Sequence, residues 1–244
     1  MANHVLLNNV DHKDLRIITT RSADFGDDIM FTQTFHHEFR SLQAHYPIFF
    51  RKGPEAGRYH AVAIFGFKEQ ENLFLGAKGW DAAYIPLTVE RQPFLIGFQE
   101  QQDDGVSRRR PVVHVDLDSP RVSETDGVPV FLKHGGISDY LERINRVLHT
   151  IHEGFAADKG FIDALLELDL LESFTLDVDL DVRSRFRVAG FYTINEDRLG
   201  ELGGEALAGL HAGGYLQPIY MALASLSNIG DLVERKKRRR AELQ

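Results

Sequence analysis

A histidine and an aspartate two residues apart form the sharpest candidate for a reactive site in this sequence. His114 and Asp116 lie in the strictly alternating segment 112–118, which predicts a strand that is apolar on one face. Side chains two apart on a strand point the same way, so both could bind one ion. With a third ligand they would form the facial triad of non-haem iron oxygenases. Candidate third ligands are His149, His152 and His211. The alternative interpretation is an exposed polar strand face.

Three alternating aspartates suggest a second ion site. Asp177, Asp179 and Asp181 resemble the opening of a calcium-binding loop. An EF-hand requires Gly at its sixth position and Glu at its twelfth, where this chain has Val182 and Val188. The apolar residues between the aspartates favour a strand instead, with its carboxylates in water or against cationic side chains.

The remaining histidines match no metal or catalytic signature. His149 and His152 are three apart on a predicted helix and could reach one ion together, but the order H-E-x-x-H is missing. His36 and His37 are adjacent, so on a helix they would point about 100° apart. We interpret them as surface or boundary residues. The chain also contains no G-x-S-x-G, no G-x-x-x-x-G-K-[ST] and no cysteine. The sequence therefore predicts no reaction and assigns no cofactor.

Aromatic residues are concentrated between positions 46 and 98, and most of them predict core. Trp80 and Tyr84 are different, because each has a polar end and flanks a turn. They could line a groove for an extended peptide or a small apolar ligand. The residues predicted for this ligand or partner groove are Trp80, Tyr84, Asn72 and Phe94.

Composition limits the possible classes of protein. The 244 residues are 43% hydrophobic and 26% charged, which are values typical of a globular protein. The first residues lack the pattern of a secretory signal peptide, and no segment approaches the roughly 18 apolar residues of a membrane span. We therefore predict a cytoplasmic protein without a transmembrane segment, and not a permease.

Charge is unevenly distributed along the chain. Residues 235–240 read RKKRRR, although the net charge is −8. Without these six cations the remainder carries 22 basic and 36 acidic residues, a net charge of −14. Such an acidic body would repel nucleic acid, so we predict no nucleic-acid partner. The basic run is interpreted as a solvated, frayed helix end, which could also touch an acidic partner.

The order of elements predicts an α+β fold, a largely antiparallel sheet with helices packed against it in a single domain. Strands are predicted within 46–134 and 174–195, and helices over 27–45, 137–171 and 196–240. Residues 100–111 are polar and predict a mobile loop. The predicted domain covers 1–234, followed by a basic tail at 235–244.

Several segments in order carry a family resemblance. They are YPIFF (46–50), GF-x-x-x-ENLFL (66–75), W-x-x-x-YIP (80–86), QPFLIGF (92–98), GFYTINEDRL (190–199), and Gly-Tyr-Leu with Ser-Leu-x-Asn at 214–228. Together they resemble the bacterial SapC-related family, whose name comes from a surface-layer protein and is shared with a transporter permease. Members of this family are similar to proteins encoded near outer-membrane receptors, halogenase-like proteins and cupin-like oxygenases. The resemblance implies an accessory role and supplies no catalytic residues.

We therefore predict a non-catalytic accessory or binding protein that acts with a partner enzyme or an outer-membrane uptake system. The partner would be another protein, of a halogenase-like, cupin-like or outer-membrane receptor system. Two alternatives stay open: a non-haem iron oxygenase that uses His114 and Asp116, and a surface-layer structural protein.

Overall fold

The structure is a computed structural model that describes residues 3–53, 57–103, 106–181 and 184–242. The chain divides into two compact units, each built from two segments. Unit 1 is Met1–Asp27 with Leu87–His152, and unit 2 is Asp28–Pro86 with Glu153–Gln244. Antiparallel strands occur together with helices, so the predicted α+β class is confirmed. The boundaries 1–234 and 235–244 stay a prediction.

The strands, in chain order, are β1 His4–Leu6, β2 Arg16–Ile17, β3 Phe31–Thr34, β4 Ile48–Lys52, β5 Tyr59–Ile64, β6 Leu75–Gly76, β7 Gly79–Trp80, β8 Phe94–Asp103, β9 Val106–Asp116, β10 Val122–Ser123, β11 Val128–Pro129, β12 Leu171–Asp181 and β13 Ser184–Ile194. The α-helices are α1 Phe39–Leu42, α2 Leu87–Glu90, α3 Asp139–Glu167, α4 Glu196–Gly200, α5 Gly204–Ala212, α6 Leu216–Ser225 and α7 Asn228–Ala241. Short 3₁₀ helices cover Ala23–Phe25 and His36–Glu38.

Unit 1 contains two small antiparallel sheets, β1-β9-β8 and β10-β2-β11. Its core includes Phe94 and Val115 from the strands and Leu141, Ile144 and Leu148 from α3. These three helical residues follow the three- and four-residue spacing of an apolar stripe, and the helix predicted over 137–171 is confirmed as α3.

The predicted mobile loop at 100–111 is wrong for its described residues. They extend β8 and β9 into one long hairpin, in which Gln99 pairs with Arg110 and Glu100 with Arg109. Residues 104–105 lie outside the described part of the chain. Polar composition misled the prediction, because a two-stranded ribbon hydrogen-bonds its own backbone and needs no apolar face at its far end.

Unit 2 contains the five-stranded antiparallel sheet β12-β13-β4-β5-β3. Adjacent residues of β4 pack in opposite directions because strand side chains alternate between faces. Phe50 packs against Phe161 of α3, with ring centroids 6.3 Å apart. Phe49 packs against Phe174 of β12, at 4.7 Å. Aromatic contacts therefore occur on both faces of the sheet, and α3 packs over the face of Phe50.

The predicted helix over 27–45 is wrong in its first half. Residues Phe31–Thr34 form β3, an edge strand that pairs with β5 from Phe31↔Ile64 to Thr34↔Ala61. The apolar spacing of this segment suggested a helix, but FTQTF also alternates and contains two β-branched threonines. The segment forms a strand because its backbone pairs with β5, and this pairing outweighs the helical spacing of its apolar residues.

The basic run was predicted to be a solvated, frayed helix end, but part of it makes contacts within unit 2. It belongs to α7, and Arg235, Lys236 and Arg239 contact residues between 71 and 81. Arg235 pairs with Asp81 at 2.6 Å, and Lys236 pairs with the buried Glu71. Arg239 donates to the Asn72 carbonyl at 2.6 Å. Part of the positive charge therefore fixes the helix in place.

Candidate ligand-binding site

Unit 2 contains a cavity of about 480 Å³ where Gly53, Gly57 and the start of β5 face α3. This volume falls in the range of small-molecule pockets, roughly 300–1,000 Å³. Among the residues that line it on the strand side are Gln33, Arg58, Tyr59 and His60. The lining residues of α3 are Phe155, Ala156, Asp158, Lys159, Ile162 and Asp163. Their spacing of three, four and seven residues places them along one side of the helix.

A buried aspartate forms part of the cavity wall. Asp158 and His36 are each 7% exposed, and they are 122 residues apart in sequence. The Asp158 Oδ1 atom lies 2.8 Å from the His36 backbone nitrogen and 2.8 Å from its Nδ1. The carboxylate therefore accepts both bonds, and the imidazole carries its proton on Nδ1. Two donors on one oxygen fix the orientation of the Asp158 side chain.

The second oxygen of Asp158 has a different role. In the described part of the chain, both hydrogen bonds of this carboxylate go to Oδ1, and no donor reaches Oδ2. Asp158 also lines the cavity. Oδ2 therefore keeps its acceptor capacity in the cavity that Asp158 lines, and a ligand with an N–H or O–H donor could hydrogen-bond to it.

Small residues of α3 allow the His36 segment to approach the helix. A Cβ atom placed on Gly154 would lie 2.3 Å from the ring of Phe35, which precedes His36. On Gly160 it would lie 2.7 Å from the Tyr215 hydroxyl. Glycine lowers helix stability by about 1 kcal/mol relative to alanine, so this close packing explains two glycines inside a long helix.

Aromatic rings hold the His36 imidazole from several sides. Its ring centroid lies 4.9 Å from that of Phe161 and 5.9 Å from that of Tyr215. The His37 ring lies 4.1 Å away, and burial together with the neighbouring His36 lowers the pKa of His37. The prediction that His36 is a surface or boundary residue is therefore wrong, because the 3₁₀ turn directs it into unit 2.

The charged residues that line the cavity differ in burial: Asp158 is buried, whereas Lys159 and Asp163 are exposed. Burial lowers the pKa of the His60 imidazole, Arg51 lowers it further, and Asp158 acts in the opposite direction. Lys159 and Asp163 form an ion pair at 2.6 Å, with side chains 77% and 49% exposed. Water screens such a pair, and exposed pairs contribute at most about 1 kcal/mol. Asp158 is therefore the buried charge of this wall.

The predicted groove residues fall in different places. Trp80 donates from Nε1 to the Tyr46 hydroxyl at 2.7 Å, and Tyr46 donates to the Tyr84 carbonyl. The Tyr84 hydroxyl donates to Glu38 Oε1 at 2.9 Å. Trp80 and Tyr84 are thus joined in one hydrogen-bonded chain, in which burial raises the pKa of Tyr46. None of these residues lines the cavity described above.

The other two groove residues are buried. Asn72 is 1% exposed, and its Oδ1 accepts a hydrogen bond from the Phe74 backbone at 2.9 Å. Phe94 is fully buried in the core of unit 1, whereas Asn72 belongs to unit 2. A groove formed by all four residues stays a prediction.

His114 and Asp116 lie near one another on β9, as predicted. Asp116 Oδ1 accepts from the Asn3 backbone at 3.0 Å, and Oδ2 lies 4.0 Å from His4 Nε2. The His114 ring packs on Gly97, where a Cβ atom would lie only 2.1 Å from it. No group of three or more His, Cys, Asp or Glu residues suited to a metal was found among the described residues. The iron site stays a prediction.

The alternating aspartates lie on β12, as the strand interpretation predicted. Asp177 forms a bidentate salt bridge with Arg187 of β13, with N–O distances of 2.9 and 3.2 Å. A cationic partner across the strands is therefore confirmed for Asp177. The side chains of Asp179 and Asp181 lie outside the described part of the structure.

Comparisons with known proteins place the chain in a family. In the described chain, no helix combines the length and the apolar character needed to cross a membrane. No curated protein and no solved structure shows significant similarity to this chain. The family model described as SapC matches residues 7–232, which is nearly the whole sequence. The chain therefore belongs to the SapC family, as its motifs had indicated.

Proposed function

We propose that this SapC family member is a non-catalytic binding protein that holds a small organic ligand in the cavity of unit 2. The observation that carries the proposal is the cavity of about 480 Å³ whose wall includes the buried, oriented Asp158. Most small-molecule sites are largely preformed and use a few placed polar groups among apolar walls. Tyr59, Phe155 and Ile162 supply the apolar surface here.

The position of His36 favours a binding role over a catalytic one. The His36 imidazole is directed at Asp158 and is not among the residues that line the cavity. A general base must reach the proton that it removes. His36 instead holds the carboxylate in place, and an oriented carboxylate suits recognition of a donor group.

In the cell, the protein would act in the cytoplasm with a partner enzyme or an outer-membrane uptake system. The family resemblance supports this part of the proposal, because related proteins are encoded beside such systems. A bound small molecule would be what the partner supplies or consumes.

Native mass spectrometry of the full chain, purified from its own host without a chelator, tests the proposal. We expect an extra mass of a small organic molecule in wild type. Ala156 lines the cavity and is exposed, so Ala156→Phe should fill it without disturbing the core. The extra mass should be lost from this variant.

Ala157→Phe provides the matched control, because Ala157 is exposed on the same helix and does not line the cavity. It should keep the ligand. A bare wild-type chain, or a ligand retained equally by both variants, would contradict the proposal. A metal mass that disappears in His114→Ala would support the iron oxygenase instead.

A further inference from the structure

The hydrogen bonding of Asp158 specifies what a ligand must provide. Oδ1 is occupied by two N–H groups of His36, at 2.8 Å each. Oδ2 is the acceptor that remains on a residue only 7% exposed. A donor with a positive charge satisfies such an oxygen best, because charge-assisted hydrogen bonds are about twice as strong as neutral ones.

The buried and exposed charges of the cavity favour a cation at Asp158. Electrostatic interactions strengthen as the surroundings lose water. The cationic side chains that line the cavity, Arg58 and Lys159, are exposed, and Lys159 already pairs with Asp163. His60 has a lowered pKa and offers a neutral ring nitrogen at pH 7. The buried wall therefore carries a net negative charge.

Aromatic and aliphatic side chains flank this carboxylate. Tyr59 and Phe155 are half-buried, and Ile162 is 6% exposed. The Tyr59 ring already lies 5.8 Å from the Lys52 ammonium nitrogen, so this ring lies beside a cation in the protein itself. A ligand with a charged end and an apolar body would match both parts of the cavity.

We infer that the cavity binds a small primary amine with an apolar or aromatic body, whose ammonium group donates to Oδ2 of Asp158. This inference rests on the proposed function and names its ligand class. An ammonium group has three N–H donors. One donates to Oδ2, and the His60 ring, which lines the same cavity, is a further acceptor.

Isothermal titration calorimetry of the full chain at pH 7.5 tests this ligand class with three probes of similar shape. They are phenethylamine, 2-phenylethanol and 3-phenylpropanoate, which differ in the charge of one end. We expect the amine to bind, the alcohol to bind about tenfold more weakly, and the acid to bind more weakly still. Equal or tighter binding of the acid would overturn the inference, because the exposed cations would then select the ligand.

Asp158→Asn tests whether the preference for the amine comes from the Asp158 carboxylate. The amide keeps an acceptor for His36 and removes the negative charge, so the amine should lose about tenfold in affinity. Glu167→Gln is the control, because it removes one negative charge from an exposed position of the same helix outside the cavity. It should change the affinity by less than about twofold. Unchanged amine binding in Asp158→Asn would overturn the inference.

The comparison of the three probes needs no variant, so it decides the question even if Asp158→Asn fails to fold. Absence of binding by all three at millimolar concentration would also overturn the amine assignment. The proposed function would survive that result if the native protein kept a host-derived mass that Ala156→Phe lost. Failure of both experiments would reject both proposals.

Discussion

Two buried aspartates, one in each unit, show how differently a carboxylate can be used. Asp27 of unit 1 is fully buried, and both of its oxygens are engaged. Oδ1 accepts from Arg21 at 3.1 Å, while Oδ2 accepts from Arg121 at 2.5 Å and from the Ser22 backbone at 3.0 Å. Asp158 of unit 2 has its hydrogen bonds on one oxygen and lines a cavity.

The partner of each aspartate reinforces the contrast. Arg121 is 1% exposed and also donates to the Ile18 and Thr20 carbonyls, at 3.0 and 2.9 Å. It therefore ties Asp27 to neighbouring backbone. His36 donates from its backbone and its ring to a single oxygen of Asp158. Both oxygens of Asp27 are thus engaged, and removing one partner of such a buried pair is costly, whereas Asp158 keeps one oxygen for a ligand.

The largest expected effect is in the closed cluster. Arg121→Ala should lower the free energy of unfolding by about 3–5 kcal/mol, because it leaves Asp27 buried with part of its charge compensation removed. Urea unfolding followed by circular dichroism measures the change. Lys13→Ala is the control, since Lys13 is exposed and should change stability by less than about 0.5 kcal/mol. A loss below about 1 kcal/mol would show that the cluster is not structural.

The next effect tests how the open site is positioned. Gly154→Ala should destabilise the protein by about 1–3 kcal/mol, because the new methyl group overlaps the Phe35 ring beside His36. Gly209→Ala in α5 is the control, since nothing lies within 4 Å of its Cβ position. That variant should gain about 0.5–1 kcal/mol from helix propensity. Stabilisation by both variants would mean that the Phe35–His36 segment is not held against α3.

A smaller effect is expected when the open carboxylate itself is changed. Asp158→Asn should cost about 1 kcal/mol of unfolding free energy without ligand, since the amide oxygen still accepts from His36 and a buried charge is removed. Thermal or urea unfolding of the two proteins side by side measures it. A loss as large as that of Arg121→Ala would remove the distinction between the two aspartates.

The smallest expected effect is a dependence of stability on pH. The folded pKa of His60 lies below its unfolded value, so the unfolded chain takes up a proton first as the pH falls. The stability that His60 contributes is therefore present above about pH 6.5 and declines as the pH falls through its folded pKa. Burial is the main cause, Arg51 adds to it, and Asp158 reduces it.

Urea unfolding at steps between pH 8 and pH 5.5 checks this sign. His60→Asn should lose stability less steeply than wild type over this range, while His37, whose pKa is also lowered, contributes equally to both proteins. Identical slopes would mean that His60 does not titrate differently on folding.

Much of the fold could be predicted because its signals are local. A helix was predicted over 137–171, where α3 forms, and alternation predicted β9 and β12. A helix was also predicted from residue 196, where α4 begins, and the Asn195 side chain caps it by accepting from the Arg198 backbone at 2.8 Å. Each of these patterns lies within a few residues, so neighbours in sequence decide it.

The errors occurred where tertiary pairing overrode a local pattern. Residues 31–34 complete the edge of a sheet, and the polar residues near 100 and 110 pair with each other in a hairpin. In both cases the partner strand supplies backbone hydrogen bonds that no local spacing reveals.

The α+β class, the family, the absence of cysteine chemistry and the positions of the strongest elements follow from residue types and their spacing. Which charged residues matter depends on long-range packing. His36 and Asp158 are 122 positions apart and carry no shared motif, and their pairing depends on how closely the 3₁₀ turn packs on α3. Folding fixes Oδ1 of Asp158 with two N–H groups of His36 and places the residue in a cavity wall, which leaves Oδ2 as the acceptor for a ligand.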